Sequence, residues 1–242
     1  ILGDTCTRFC KFCNVKTGKG SGLVDPEEPR RTALLLKPLR LNYVVITSVD
    51  RDDLPDGGAF HFADTIREVR EECPGTTLEV LTGDFSGSRD SLLKVIEARP
   101  HVLSHNLETV ERLTPAIRDR RASYQTSLLQ LQRCKEIDPS IFTKSSLMLG
   151  LGEKPEEVIS AMKDLRGIEV DFLTLGQYLR PSKIHHPVEK FVSPEEFEEF
   201  KNIGYQLGFK MVASGPLVRS SYKAGEYFIE EYILKQQAAT GI

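Results

Sequence analysis

The 242-residue chain has no tryptophan, only three methionines and five cysteines, an odd and low number that excludes a disulfide framework and fits a reducing compartment. No apolar run approaches the roughly 20 residues that a membrane-crossing helix requires. Neither sign of charge dominates: 32 Lys and Arg against 35 Asp and Glu leave a net charge of -3. General electrostatic attraction to nucleic acid or anionic lipid is therefore not expected. Internal repeats, low-complexity tracts and linkers are also lacking, so one domain over residues 1–242 is the simplest organisation. At 40% hydrophobic and 28% charged residues, the chain has enough apolar material for a substantial core.

What is present is a regular alternation. Short β-rich runs at residues 42–47, 77–81, 101–104, 144–149, 170–175 and 209–213 alternate with helical patterns at 59–72, 90–98, 122–137, 155–165 and 194–207. Such a series predicts a parallel α/β sheet, either doubly wound or a whole or partial barrel. Ligands of these folds bind at the carboxyl ends of the strands. Polar clusters fall there: residues 48–53, Asp84, 105–108, 150–153 and 177–180.

Three of the five cysteines, Cys6, Cys10 and Cys13, lie within eight residues at the spacing C-x3-C-x2-C. Thiolates hold iron–sulfur clusters, and a cubane normally takes four. Three from one loop leave one iron open to a small molecule. Zinc is the alternative, but a closed zinc site needs four ligands, and none of the five histidines stands at finger spacing from the triplet. Cys73 and Cys134 sit alone in helical patterns, as small buried residues do. His185 and His186 are adjacent, point to opposite faces if extended, and are expected at the surface.

The triplet at the head of a βα series resembles the radical S-adenosylmethionine superfamily. Further strings are similar to the lipoyl synthases: residues 3–8 (GDTCTR), 12–18 (FCNVKTG), 43–58 (YVVITSVDRDDLPDGG), 105–122 (HNLETVERLTPAIRDRRA), 147–153 (LMLGLGE), 174–181 (TLGQYLRP) and 213–226 (ASGPLVRSSYKAGE). The resemblance implies a partial (β/α)6 barrel. It also implies a [4Fe–4S] cluster on Cys6, Cys10 and Cys13 that binds and cleaves S-adenosylmethionine, and insertion of two sulfur atoms at C6 and C8 of a protein-bound octanoyl-lysine. The family's second [4Fe–4S] cluster uses a C-x4-C-x5-C motif upstream and a serine of an R-S-S-Y motif. The serine role falls on Ser221, with Ser220 its neighbouring alternative; the cysteine motif does not occur in residues 1–242, and its segment is expected to be missing upstream.

The remaining roles rest on the same resemblance and on strand-end position. Asn106 and Glu108 are candidates for ribose hydroxyls or the ammonium group, and Arg118, Arg120 or Arg121 for the methionine carboxylate. Gly150 and Gly152 would let backbone approach the adenosine, or else form a turn with Glu153 starting a helix; Gln177 and Tyr178 would touch adenine or substrate. Expected partners are octanoylated lipoyl carriers, namely the lipoyl domains of 2-oxo acid dehydrogenases and the glycine cleavage carrier protein, with a reductant such as ferredoxin. Gly83 in LTGDF and the string at 213–226 look like fungal members, which implies a mitochondrial location. Residues 19–24 and 36–41 depart from the family pattern, and Pro38 is expected to end a helix at Lys37.

Overall fold

In the computed structural model, which describes residues 1–219 together with Ile229, Tyr232 and Ile233, six strands form one parallel sheet. They are β3 (Tyr43–Thr47), β4 (Thr77–Leu81), β5 (Val102–Ser104), β6 (Phe142–Leu149), β7 (Phe172–Gln177) and β8 (Met211–Gly215), and they pair in sequence order. Thr47 lies opposite Leu81, Leu81 opposite Ser104, and Leu149 opposite Gln177, so the carboxyl ends gather at one rim. The order is open, with β3 and β8 at its edges. The expected six-stranded partial barrel is what forms.

Helices α2 (Ala59–Glu72), α3 (Arg89–Glu97), α5 (Tyr124–Ile137), α6 (Pro155–Gly167) and α7 (Pro194–Leu207) connect the strands. Their starts are written locally. Ser88 and Ser123 accept from the backbone N–H of Ser91 and Thr126, and Ser193 forms a reciprocal box with Glu196. Leu78 and Val80 pack outward on Phe62, Ile66, Leu92 and Val95, while Leu173 and Leu175 meet Val158, Met162 and Phe197. A third cluster fills the opposite face with Tyr43, Val102, Phe172, Met211, Ile229 and Ile233.

Helix α1 (Glu28–Leu36) is the one expected to end before Pro38, whereas the four-residue α4 (Thr114–Ile117) has no expected counterpart because it is too short to show a period. A break at Pro38 is borne out: α1 stops at Leu36 and a 3₁₀ turn covers Lys37–Leu39. β7 and β8 run two residues further than their apolar runs suggest, since the ladder is built from backbone and carries polar Gln177 and Ser214 along. No helix among the described residues is long and apolar enough to cross a membrane.

Candidate cluster and cofactor site

The cysteine loop lies over the rim, bracketed by two two-residue strands, β1 (Thr5–Cys6) and β2 (Lys16–Thr17), which pair in parallel. Beneath it is a cavity of about 170 Å³ lined by Cys6, Cys10, Cys13, Asp50, Thr82, His105, Asn106, Glu108 and Arg118 among others. Six of the candidate residues thus meet in one place, although they come from three separate stretches of chain.

Charge holds the loop there. Arg8, buried, forks onto both oxygens of buried Asp84 at 2.6 and 2.8 Å and reaches Asp52 at 2.8 Å. Burial works to raise the Asp84 carboxyl, but the hydrogen bonds and positive charge of Arg8, with the Ser86 N–H, together keep it below the ordinary range. Thr7 donates to Asp52 at 2.7 Å, and Asp119 accepts from the Phe9 N–H at 2.8 Å. On the far side, the Lys11 N–H donates to the Ile117 carbonyl and the His186 N–H to the Lys11 carbonyl.

The histidine pair corrects an expectation. His185 is 8% exposed, with one ring nitrogen 2.8 Å from the Ser182 hydroxyl and the other 3.0 Å from the Cys13 carbonyl. His186 reaches the Leu151 carbonyl at 3.1 Å. The two brace the cysteine loop from residues 182–186 instead of lying free at the surface. Their positions in a loop, not a strand, let both turn inward.

All five cysteines are free thiols. The three loop thiols are partly buried, and burial pushes each up, Cys10 to about 11. Backbone N–H groups nevertheless point at two of the sulfurs, Arg8 to Cys6 at 3.4 Å and Asp119 to Cys10 at 3.3 Å. Such donors are what cluster thiolates take. Both ring nitrogens of His105 and of His185 are engaged, which removes them as zinc ligands. Among the described residues no three His, Cys, Asp or Glu groups converge on one ion.

The rest of the wall is ready for a zwitterion. Burial raises Glu108 and Asp50 above the usual carboxyl range, and each lies near the thiols. Glu108 accepts from the Asn106 amide at 3.1 Å and holds a left-handed backbone, φ 68°, a strained conformation of the kind found at sites. Arg118 is 91% buried by its 9% exposure, yet its Nε has no partner, and Thr82 Oγ1 is likewise unpaired. Two orphaned polar atoms on one cavity wall call for a polar ligand.

The other candidates lie elsewhere. Arg120 is exposed, and Arg121 pairs with Asp119 at 2.8 Å. Gly150, Gly152 and Gln177 are not in the cavity lining. Gln177 donates to the carbonyls of Leu149, Tyr178 and Lys190 and accepts from the Val192 N–H, which ties down the loop after β7. Gly150 has φ 96°, and a Cβ there would stand 2.3 Å from the Lys190 carbonyl. Glu153 accepts from the Gly150 and Leu151 N–H groups, so the turn reading of this segment describes its geometry. Tyr178 is buried and donates to the His186 carbonyl at 2.7 Å. Ser220 and Ser221 lie outside the described residues. Sequence reasoning missed Arg8, Asp119, Ser127 and His185, and only the i+2 position of Arg8 in the cysteine motif was a signal.

Comparison with known proteins agrees. The Radical SAM superfamily model matches residues 1–165. The chain is 57% identical to the lipoyl synthase of Thermus thermophilus, covering 95% of this chain and 71% of that protein. It is 55% identical to that of Pyrobaculum arsenaticum, covering 94% and 77%. It is 52% identical to the mitochondrial lipoyl synthase of Scheffersomyces stipitis, covering 100% and 61%. Bacterial and archaeal likeness thus equals the fungal one, and a mitochondrial location does not follow. Among solved structures, a HydG hydrogenase maturase superposes with a TM-score of 0.69 at 14% identity, over 96% of this chain and 53% of that one. Methylornithine synthase gives 0.62 at 15% identity, over 100% and 80%. These two carry the fold alone. With two thirds of its length under the superfamily model and more than half its residues identical to full-family relatives, the chain belongs to the radical SAM superfamily and, within it, to the lipoyl synthase family.

Proposed function

We propose that the chain carries the radical-generating half of lipoyl synthesis: it binds a [4Fe–4S] cluster on Cys6, Cys10 and Cys13 and S-adenosylmethionine beside it. The observation that carries the reading is one cavity holding three thiols, two carboxylates and an arginine with an unpaired buried N–H. Cys6, Cys10 and Cys13 would hold the cluster, which together with S-adenosylmethionine would supply radical removal of hydrogen at C6 and C8 of an octanoyl-lysine, where sulfur is to be inserted. Such methylene hydrogens are beyond the reach of any side-chain base, so the protein's work is placement and exclusion.

The residues divide that work. Arg118 takes the methionine carboxylate through its unpaired edge. Glu108, steered by Asn106, and Asp50 take the ammonium group or the ribose hydroxyls. Arg8, Asp52, Asp84 and Asp119 keep the thiol loop in register over the rim. Gly150, Gly152 and Gln177 contribute from one layer behind, by fixing the loop of residues 178–192. The second cluster belongs to the same proposal, with Ser221 as one ligand and a three-cysteine motif that residues 1–242 do not contain. Octanoylated lipoyl carriers would be the substrate and a ferredoxin-like protein the reductant.

Anaerobic reconstitution tests the first half: about four irons per chain should bind through the triplet, and addition of S-adenosylmethionine and reductant should yield 5′-deoxyadenosine. Cys10→Ala should abolish both. A carrier octanoylated with a chain deuterated at C6 tests the substrate independently of any sulfur donor, because deuterium should appear in the 5′-deoxyadenosine. Product without deuterium removes the octanoyl reading and leaves only the superfamily chemistry.

A further inference from the structure

From the cavity wall inward runs a chain of three hydrogen bonds. Arg118 Nη1 lies 2.7 Å from the Ser127 hydroxyl and 3.5 Å from the Leu107 carbonyl. The same hydroxyl is 2.9 Å from His105 Nε2, and His105 Nδ1 is 2.9 Å from the Thr82 carbonyl. All three side chains are buried.

Chemistry fixes every proton in this chain. A carbonyl only accepts, so Nδ1 carries the hydrogen and donates to Thr82. A guanidinium only donates, so the Ser127 oxygen accepts from Arg118. Burial, and after it the positive Arg118, lowers His105 to about 4 and keeps the imidazole neutral. With Nδ1 carrying the hydrogen, Nε2 then accepts from the Ser127 hydroxyl. The anchor at the far end is backbone of the segment that follows β4, so the relay ties α5, the strand-end segment of β5 and that of β4 to one guanidinium.

The relay also selects an edge. Arg118 is gripped by Nη1, while Nε has no partner, and no hydrogen bond of Nη2 occurs among the described residues. Nε and Nη2 form the side of the guanidinium that takes a carboxylate with two parallel hydrogen bonds. An unheld arginine loses rotamer freedom on becoming fixed, and here that ordering is in place before any ligand arrives.

We propose that His105 and Ser127 are positioning residues that hold Arg118 so that its Nε/Nη2 edge receives the carboxylate of S-adenosylmethionine. The proposal rests on the reading of Arg118 given above and goes beyond it to name what orients the arginine. Ser127 does not line the cavity; His105 does, but both of its ring nitrogens are engaged in the relay. Their effect reaches only the carboxylate, whereas the sulfonium, ribose and adenine are recognised elsewhere.

Equilibrium binding to the cluster-reconstituted chain separates these terms, with S-adenosylmethionine and its decarboxylated analogue as the two probes. Arg118→Lys keeps the charge but removes the edge, and should erase the preference for the carboxylate. Ser127→Ala should weaken S-adenosylmethionine about tenfold, the size of one lost hydrogen bond to a charged group, with the analogue's affinity unchanged. His105→Phe, which removes both imidazole hydrogen bonds at similar volume, should narrow the preference between the two probes by the same factor; because His105 lines the cavity, that ratio and not the analogue's own affinity is its readout. Melting curves of both variants confirm the fold, and either one suffices if the other does not fold. Equal weakening of both probes, or an unmoved preference in the folded variants while Arg118→Lys collapses it, overturns the relay and leaves the Arg118 reading standing. A preference unmoved by Arg118→Lys overturns both.

Discussion

At the scale of single residues, the site uses buried groups whose partners decide their state. His105 is kept neutral in the folded protein at about 4 against an ordinary value of 6.5. Between those values the unfolded chain binds more protons than the folded one, so stability rises with pH there and is lost as pH falls from 6.5 toward 4. Urea unfolding at a series of pH values should show that slope, and His105→Gln should flatten it while lowering stability at neutral pH. An unchanged slope would show that other groups set it. Cys134 shows the opposite use of burial: fully enclosed and pushed up to about 12, it is a core residue and not a ligand, as its isolated place in a helical pattern suggested. The triplet, Asn106, Glu108 and Arg118 were legible because each lies at a strand end or in a motif of fixed spacing. Ser127 was not, because a serine in the middle of a helix pattern looks like any polar residue until a histidine 22 positions away meets it.

At the scale of elements, the strand-to-helix turns carry the geometry. The turn after β6 depends on Gly150, whose φ of 96° and contact with the Lys190 carbonyl leave no room for a side chain. Gly150→Ala should cost more than about 2 kcal/mol, from backbone strain and overpacking together. It should also loosen the loop of residues 178–192, which hydrogen exchange would detect as faster exchange at Val192. Retained protection would mean that Gln177 alone secures the loop. Here the sequence located the turn and left two uses of it open. Glycines and a glutamine at strand ends are the composition of a ligand site, and they are equally the composition of a tight turn that clamps a neighbouring loop. Only the partners of the Gln177 amide tell these apart.

At the scale of the whole molecule, the sheet face away from the helices is not wholly apolar. Glu79 of β4 is fully buried and pairs with Lys144 of β6 at 2.9 Å, with the hydroxyls of Tyr43 and Ser104 donating to the same carboxylate at 2.5 and 2.6 Å. Four adjacent strands are thereby pinned to one another. Lys144→Met leaves a buried carboxylate without its cation, and should destabilise the fold by about 3–5 kcal/mol in denaturant titration. A Glu79→Leu, Lys144→Met double variant should recover much of that loss, since it removes both charges. A double variant as unstable as the single one would show that the hydroxyl contacts, not the ion pair, are what the sheet needs.

The sequence by itself determined the order of elements, the parallel sheet and the cysteine triplet, because periodicity, capping residues and motif spacing are local properties that need no third dimension. It also determined the family, since ordered strings along the chain survive where a single motif would not. The tertiary structure alone decided which polar residues face the cavity and which serve the frame. That choice depends on atoms brought together from separate elements: Arg8 with Asp84, His185 with the Cys13 carbonyl, and Arg118 with Ser127 and through it His105. Hydrogen bonding is directional and short-ranged, so no pattern along the chain specifies it until the strands have placed their ends at one rim.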